Sequence, residues 1–256
     1  MTKDAHSFWN SRAALGAAAG SNDIIAKKLE IEALASYVKE GYRILDFGCG
    51  NGVTALELAS RFKVSICGID YSEEMVGAAR ELANRAELRG DVQFQVGDVS
   101  SLKSINERFD LIYTERVIIN LRDWKEQSQA IALLTGLLLP GGAYAMCENS
   151  QDGLEMVNSL RSCLQLPMIS PPWHNRYLKD DELESFAIPG VTLENINYYS
   201  STYYFLSRVI NAALAVQNGV TPEYASPVNQ LALRLPPAMG RLGQGRIWLW
   251  RKDRHG

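Results

Sequence analysis

From residue 43 to about residue 150 the chain alternates short, continuously apolar runs with stretches whose apolar positions recur every three or four residues. The first pattern predicts strands buried on both faces and the second predicts amphipathic helices. Their regular alternation predicts a parallel α/β sheet. Strands are expected over Arg43–Phe47 and over residues 64–69, 92–96, 109–113 and 143–147. A helix over residues 53–62 carries Ala55, Leu56, Leu58 and Ala59 on its apolar side. Ser72 is placed to cap the next helix, with Glu73 and Glu74 in the first turn, where the helix dipole favours acids. A long helix is expected over residues 123–139, stopped by Pro140-Gly141-Gly142.

Beyond Asn149 the pattern loosens. Residues 153–164 read as a helix, 167–173 as a proline-rich loop, 180–186 as a short helix and 191–199 as an alternating strand. A helix over 203–216 gives way to a stretch rich in Pro, Gly and Asn, and residues 246–251 (RIWLWR) close as a last strand. The expectation is a Rossmann-like, seven-stranded mixed sheet with helices on both faces and a helical segment at the N-terminus. An insertion at 200–245, before the last strand, is expected to form a lid over the carboxyl ends of the strands, where such sheets bind ligands. The alternative for that insertion is a stability or dimerisation element.

Composition narrows the class. The 256 residues are 46% apolar and 21% charged, with a net charge of -3, which fits an ordinary globular enzyme. No basic tract of five or more residues occurs, which argues against a wide nucleic-acid footprint. The start at 1–6 is polar, and the apolar stretch 13–19 is short and broken by Gly16, so neither a signal peptide nor a membrane span is expected. Cys49, Cys67, Cys147 and Cys163 show no paired spacing. The first three fall in strands or at strand ends, where a thiol packs as a small apolar group. A cytoplasmic location and no metal site are expected.

The chemistry concentrates in four motifs. In ILDFGCGNG (44–52) a buried strand runs into Gly48, Gly50 and Gly52, letting the backbone turn tightly and approach a ligand. The spacing is GxGxG rather than the dinucleotide-type GxGxxG, and Asp46 stands within the strand, which suits a ligand bearing an ammonium group. In GIDYS (68–72) Asp70 ends the second strand, where an acid can accept from both hydroxyls of a ribose; its other possible role is a helix N-cap, which Ser72 already fills. In QVGDVSSL (95–102) Asp98 stands just past the third strand. In LLLPGGAYAM (137–146) a helix, a sharp turn and a strand follow one another.

In order and spacing these motifs resemble those of class I S-adenosylmethionine-dependent methyltransferases over roughly residues 43–149. The resemblance implies S-adenosylmethionine as cofactor and S-adenosylhomocysteine as product. It implies that Asp46, Gly48 and Gly50 hold the methionine part, Asp70 the ribose, and Tyr71 and Met75 the flanks of the adenine. Asp98 and Val99 would meet the adenine edge, and Glu115, Arg116 and Val117 would line the methyl-transfer site. The domain organisation then reads as one methyltransferase domain over 1–256. It comprises a helical cap at 1–42, a cofactor-binding core at 43–150 and an acceptor-side half at 151–256. The tetrapeptide of base-methylating enzymes is absent after the fourth strand, and paired metal-binding carboxylates are not evident. Both absences favour metal-independent O-methylation of a small molecule. SFWNSRA (7–13) and PPWHN (171–175) are more weakly similar to segments of methyltransferases of bacterial surface glycans, which implies a sugar or glycan terminus as acceptor.

For acceptor chemistry, His174 is the candidate general base, since its ordinary pKa suits proton transfer at neutral pH; a loop-packing histidine is the plainer role. Glu115 and Glu148 follow the fourth and fifth strands and are further base candidates, with an ion pair to Arg116 or Arg122 as the alternative for Glu115. Trp9 and Arg12 precede the sheet, and Arg12 is a candidate partner for the cofactor's carboxylate. The run Tyr198, Tyr199, Tyr203, Tyr204 and Phe205 is either an acceptor pocket or core. Three other functions stay open: a methyltransferase for an aromatic or lipid-like metabolite, a nicotinamide oxidoreductase, and a non-catalytic cofactor-binding subunit.

Overall fold

The computed structural model describes residues 10–12 and 22–254, so Trp9, His6, His255 and much of the expected N-terminal cap lie outside the described residues. Helix α1 (Ile24–Ala35) leads into β1 (Arg43–Phe47), α2 (Val53–Arg61), β2 (Ser65–Asp70), α3 (Glu73–Ala83), β3 (Asp91–Val96) and β4 (Phe109–Glu115). Then come α4 (Trp124–Gly136), β5 (Leu138–Asn149), α5 (Gln151–Cys163), α6 (Asp180–Glu184) and β6 (Val191–Asn197). The insertion holds α7 (Ser201–Tyr204), a π turn (Phe205–Ile210), α8 (Asn211–Gln217) and α9 (Pro227–Gln230) before β7 (Gly245–Lys252).

The seven strands form one sheet in the order β3-β2-β1-β4-β5-β7-β6. Strands β1 to β5 pair in parallel, while β7 runs antiparallel to both β5 and β6. Successive side chains on a strand face opposite sides, and the core divides accordingly. Leu45, Ile112, Trp248 and Trp250 pack with Ala130, Ile131 and Leu134 of α4. Ile44, Ile66, Ile247 and Leu249 pack with Leu34 of α1, Ala55 and Leu58 of α2, and Val76 and Ala79 of α3. The continuous apolar runs of β1, β4 and β7 are therefore two alternating sets, one for each layer of helices. Their ends lie where the ligand-binding edge of such a sheet is expected.

Two expectations need correction. The long helix ends at Gly136 rather than 139, because Leu138 already pairs with Phe109, and Pro140-Gly141-Gly142 forms an irregularity within β5. The helix expected over 203–216 is interrupted by a π turn. Within the insertion, Tyr203, Tyr204, Val209 and Ala232 form a third cluster with Ile25 and Ala26 of α1 and Val157 of α5.

Two glycines test this packing. Gly77 is exposed on α3 with no atom within 4 Å of the position a methyl would take, so Gly77→Ala should stabilise by roughly 0.5–1 kcal/mol. At Gly153 the same methyl would stand 2.1 Å from the Gly243 carbonyl oxygen, and Gly153→Ala should cost roughly 1–3 kcal/mol. In thermal unfolding the two melting temperatures should move in opposite directions, by roughly 2–4 °C per kcal/mol. A Gly153→Ala protein as stable as the parent would show that α5 is free to shift.

Candidate functional site

At the end of β1 the chain turns through Gly48, Gly50 and Gly52, with φ of 78°, 53° and 75°. Left-handed backbone of this kind favours glycine. Gly48 meets a second demand, because a side chain there would collide with Val117, whose Cγ2 is 2.2 Å from the position of a Cβ. Two loops can thus close on each other across the end of the sheet. The Gly48 and Cys49 N–H groups donate to the Ile69 carbonyl at 2.7 and 3.0 Å. Asp70 completes the turn: its carboxylate accepts from the Gly50 N–H and from the Ser72 N–H, both at 2.9 Å.

Two clefts open here. One is lined by Asp46, Gly48, Gly50, Thr54, Met75, Glu115, Arg116 and Asn120, together with Lys27 from α1. The other is lined by Gly97, Asp98, Val99, Ile118, Leu121 and Leu133. Gly48, Asp70, Tyr71 and Val117 border both, so the clefts form one two-part groove with Asp70 at its waist. Three of the four sequence motifs converge on this groove; the fourth, with its Pro-Gly-Gly turn, lies toward the opposite end of β5.

Electrostatics divide the groove. Asp46 is 2% exposed, and burial pushes its carboxyl up to about 8, against the pull of the neighbouring Tyr113 hydroxyl. Neither Asp46 Oδ2 nor the Tyr113 oxygen has a hydrogen bond of good geometry among the described residues. A cationic ligand group would satisfy such a carboxylate. Beside it lies a four-charge cluster. Lys27 Nζ donates to Glu115 and, at 2.7 Å, to Thr54 Oγ1, which itself donates to Glu115 Oε2 at 2.7 Å. Arg116 pairs with Glu30 and reaches Glu115 at 3.6 Å. Burial would raise the Glu115 carboxyl, but Lys27 and Arg116 overcome this and hold it well below the usual range. Glu30 moves the other way, pushed up by burial to about 8. Arg116 has φ of 58°, a strained conformation for a non-glycine residue that clusters at functional sites. Its N–H is held by the Cys147 carbonyl at 2.9 Å.

Several candidate roles change. Glu148 is 1% exposed, and its oxygens accept from the Val117 and Ile118 N–H groups at 3.0 Å and from Ile119 at 3.4 Å. Burial raises its carboxyl to about 7, opposed by those amides. Glu148 shapes the loop from beneath and is not a base facing an acceptor. Glu115 lines the groove but is committed to its cations, and Arg122 pairs with Glu126 instead. Of the aromatic run, Tyr199, Tyr203 and Tyr204 are buried core, whereas Tyr198 is half-buried and Phe205 is exposed. Asp98 lines the groove while one of its oxygens caps the turn at Ser100 and Ser101.

His174 is half-buried, in edge-on contact with Trp173 at 5.2 Å. Burial, and then the nearby Arg12 cation, push its pKa below the ordinary histidine value. Arg12 therefore sits beside His174, and the cations that line the cofactor-type cleft are Lys27 and Arg116. The next residue, Asn175, donates to Asn120 Oδ1 at 3.1 Å, and the Arg176 N–H donates to the Ile119 carbonyl at 2.7 Å. The histidine loop is thereby fastened to the wall of the groove. Lys27, Glu30, Thr54 and Asn120 were not singled out from the sequence. The available signal was a charge, Glu30, on the same helical stripe as the buried Ile31 and Leu34.

A family model described as "Methyltransferase domain" matches residues 38–182, more than half of the chain. Among curated relatives, 27-O-demethylrifamycin SV methyltransferase of Amycolatopsis mediterranei is 30% identical over 55% of this chain and 49% of its own. An O-methyltransferase of Pyrenophora dematioidea is 32% identical over 42% of this chain and 39% of its own. The matched region spans half or less of these relatives' length. The fold is similar to that of magnesium protoporphyrin IX methyltransferase from Synechocystis with bound SAH, with a TM-score of 0.55 at 16% identity over 87% of this chain and 82% of that one. It is also similar to the [4+2]-cyclase SpnF, with a TM-score of 0.57 at 23% identity over 87% and 79%.

The raised Asp46 carboxyl has a measurable sign. In the fold Asp46 keeps its proton up to about pH 8, whereas the unfolded chain releases it in the ordinary acid range. Its contribution to stability is therefore fully present at low pH and is lost as pH rises toward about 8. Asp46→Asn should make the melting temperature of the ligand-free protein fall less steeply over that window than it does in the parent. Parallel pH profiles for the two proteins would show that Asp46 is not strained by burial.

Proposed function

Because the chain belongs to the class I S-adenosylmethionine-dependent methyltransferases, we propose that it methylates an oxygen of a small polyhydroxylated acceptor, a sugar or glycan terminus, with His174 as general base. The observation that carries this reading is the two-part groove with Asp70 at its waist. The residues fit the cofactor. Buried Asp46 suits an ammonium group, Lys27 and Arg116 suit a carboxylate, Asp70 suits ribose hydroxyls, and Asp98 with Val99 suits an adenine edge. Tyr71 and Met75 would flank the base. When bound, S-adenosylmethionine supplies an electrophilic methyl group on a sulfonium.

The chain's own residues then have two tasks, alignment and proton removal. The wall formed by Arg116, Val117 and Asn120 is fixed from beneath by Glu148 and from above by Asn175, which supports a rigid floor for an acceptor. A depressed pKa keeps His174 neutral at physiological pH and able to take the hydroxyl proton. Oxygen as the acceptor atom is supported by relatives named as O-methyltransferases. A sugar-like acceptor is supported by the polar amide of Asn120 in the groove, linked through Asn175 to the His174 loop. The aromatic or lipid-like alternative loses most of its proposed pocket, since Tyr199, Tyr203 and Tyr204 are core.

Calorimetry should find S-adenosylhomocysteine binding at about micromolar affinity and no binding of NADH. Asp70→Ala should weaken it by roughly 2–4 kcal/mol, since a charged acceptor is lost. Asp70→Asn should retain part of the affinity, because one carbonyl oxygen can still hold the turn. Tight NADH binding would remove the cofactor assignment.

His174→Ala should lower turnover by roughly 10²–10⁴-fold and leave S-adenosylhomocysteine affinity unchanged. The parent's rate should rise with pH through an ionisation below the ordinary histidine value, and the variant should lack that limb. A variant with full turnover and the parent's pH profile would take His174 out of the mechanism. Measurable affinity combined with no turnover on any hydroxylated acceptor would favour the non-catalytic alternative.

A further inference from the structure

Helix α1 carries three charged residues on one face, spaced four and three positions apart: Asp23 at its N-cap, then Lys27, then Glu30. Each grips a different part of the molecule. Lys27 holds Glu115 and Thr54, and Glu30 holds Arg116, so this part of the helix supplies one end of the cofactor groove. Asp23 faces the other way along the chain. Its Oδ1 accepts from Tyr203 Oη at 2.5 Å and from the Ala26 N–H at 3.1 Å, and its Oδ2 accepts from Arg208 Nη2 at 2.9 Å.

Arg208 is held in turn. It leaves the π turn Phe205–Ile210 of the insertion, a local form found frequently at functional sites. Its guanidinium lies 5.0 Å from the ring centre of Tyr224, 5.4 Å from Tyr204 and 5.9 Å from Tyr203. Arg161 of α5 donates to the Arg208 carbonyl. A cation fixed by three rings, a carboxylate and a π turn has little freedom, and its carboxylate partner is the N-cap of α1.

Resting on the methyltransferase reading, we propose that the Arg208–Asp23 pair is a positioning clasp through which the insertion sets the cofactor site. It fixes the start of α1, so that Lys27 and Glu30 arrive in register with Glu115 and Arg116, although Arg208 lines neither cleft. The helix transmits the position because Lys27 lies only about 6 Å along its axis from Asp23. The receiving end is sensitive because buried charges left unpaired are far more costly than surface ones. A small shift at Asp23 is thus felt as a mismatch in the four-charge cluster.

The test uses the full chain and reads S-adenosylhomocysteine affinity by calorimetry, alongside thermal unfolding. Asp23→Asn keeps a good helix cap and removes the ion pair, while Arg208→Met removes the cation. Each should weaken binding about tenfold, the scale of couplings between contacting residues, and the double variant should be no weaker than either single one. Adding Arg208→Met to Lys27→Met should weaken binding by less than about threefold, because the second change acts through the first. An element that merely stabilises the fold would give additive effects. Folded variants that bind within about twofold of the parent, or additive losses, would overturn the clasp. Failure of both single variants to fold would also overturn it, assigning the pair to stability alone. A parent protein that does not bind S-adenosylhomocysteine would instead overturn the cofactor reading beneath it.

Discussion

Three consecutive backbone N–H groups, at Val117, Ile118 and Ile119, converge on the buried carboxylate of Glu148. Buried amides must find partners, and this side chain serves all three. The stretch it holds is the shared wall of both clefts. Arg116 enters that wall in a left-handed conformation, Gly48 leaves the space that Val117 fills, and Asn120 hands it on to the histidine loop. Removing the carboxylate would therefore disturb the glycine turn, the ion cluster and the acceptor side together. A residue without contact to any reacting group can in this way determine the shape of the whole groove.

Charge burial is the second organising constraint. Glu30 and Glu115 are 3% and 7% exposed at the residue and side chain respectively, and they persist because Arg116 reaches both and Lys27 holds Glu115. Such clusters are seldom a source of net stability, since desolvation offsets most of the attraction. Their value lies in specificity of arrangement. Each charge has one low-cost position, which fixes α1 against β4 more sharply than apolar contacts of the same area would.

The sheet was readable in the sequence because each central strand is a continuous apolar run between turn residues, and the two faces of β1 and β7 both need apolar side chains. The glycine turn, Asp46, Asp70 and Asp98 were readable because their positions follow from local chain geometry. Lys27, Thr54 and Asn120 were not, because their roles arise from contacts between segments far apart in sequence: 88 positions separate Lys27 from Glu115. Glu148 and Glu115 looked alike at strand ends. Only their neighbours, amides in one case and cations in the other, distinguish a loop support from a groove residue. The tyrosine run illustrates the same limit, since apolar spacing is identical for a pocket lining and for core.

The strand order carries a consequence for synthesis. β7 lies between β5 and β6 and is antiparallel to both, yet of the seven strands of this sheet it is the last to be synthesised. While residues 245–252 are still in the exit tunnel, β5 has an open edge, and β6 has no strand to pair with. An uncovered, apolar strand edge is a template for pairing with another chain. The parallel strands β1 to β5 can pair with one another early, because all five are complete by residue 149. The nascent protein therefore passes through a stage in which its five parallel strands have emerged and its sheet is half-open. At that stage the chain is most exposed to aggregation, and a chaperone that covers strand edges has most to offer.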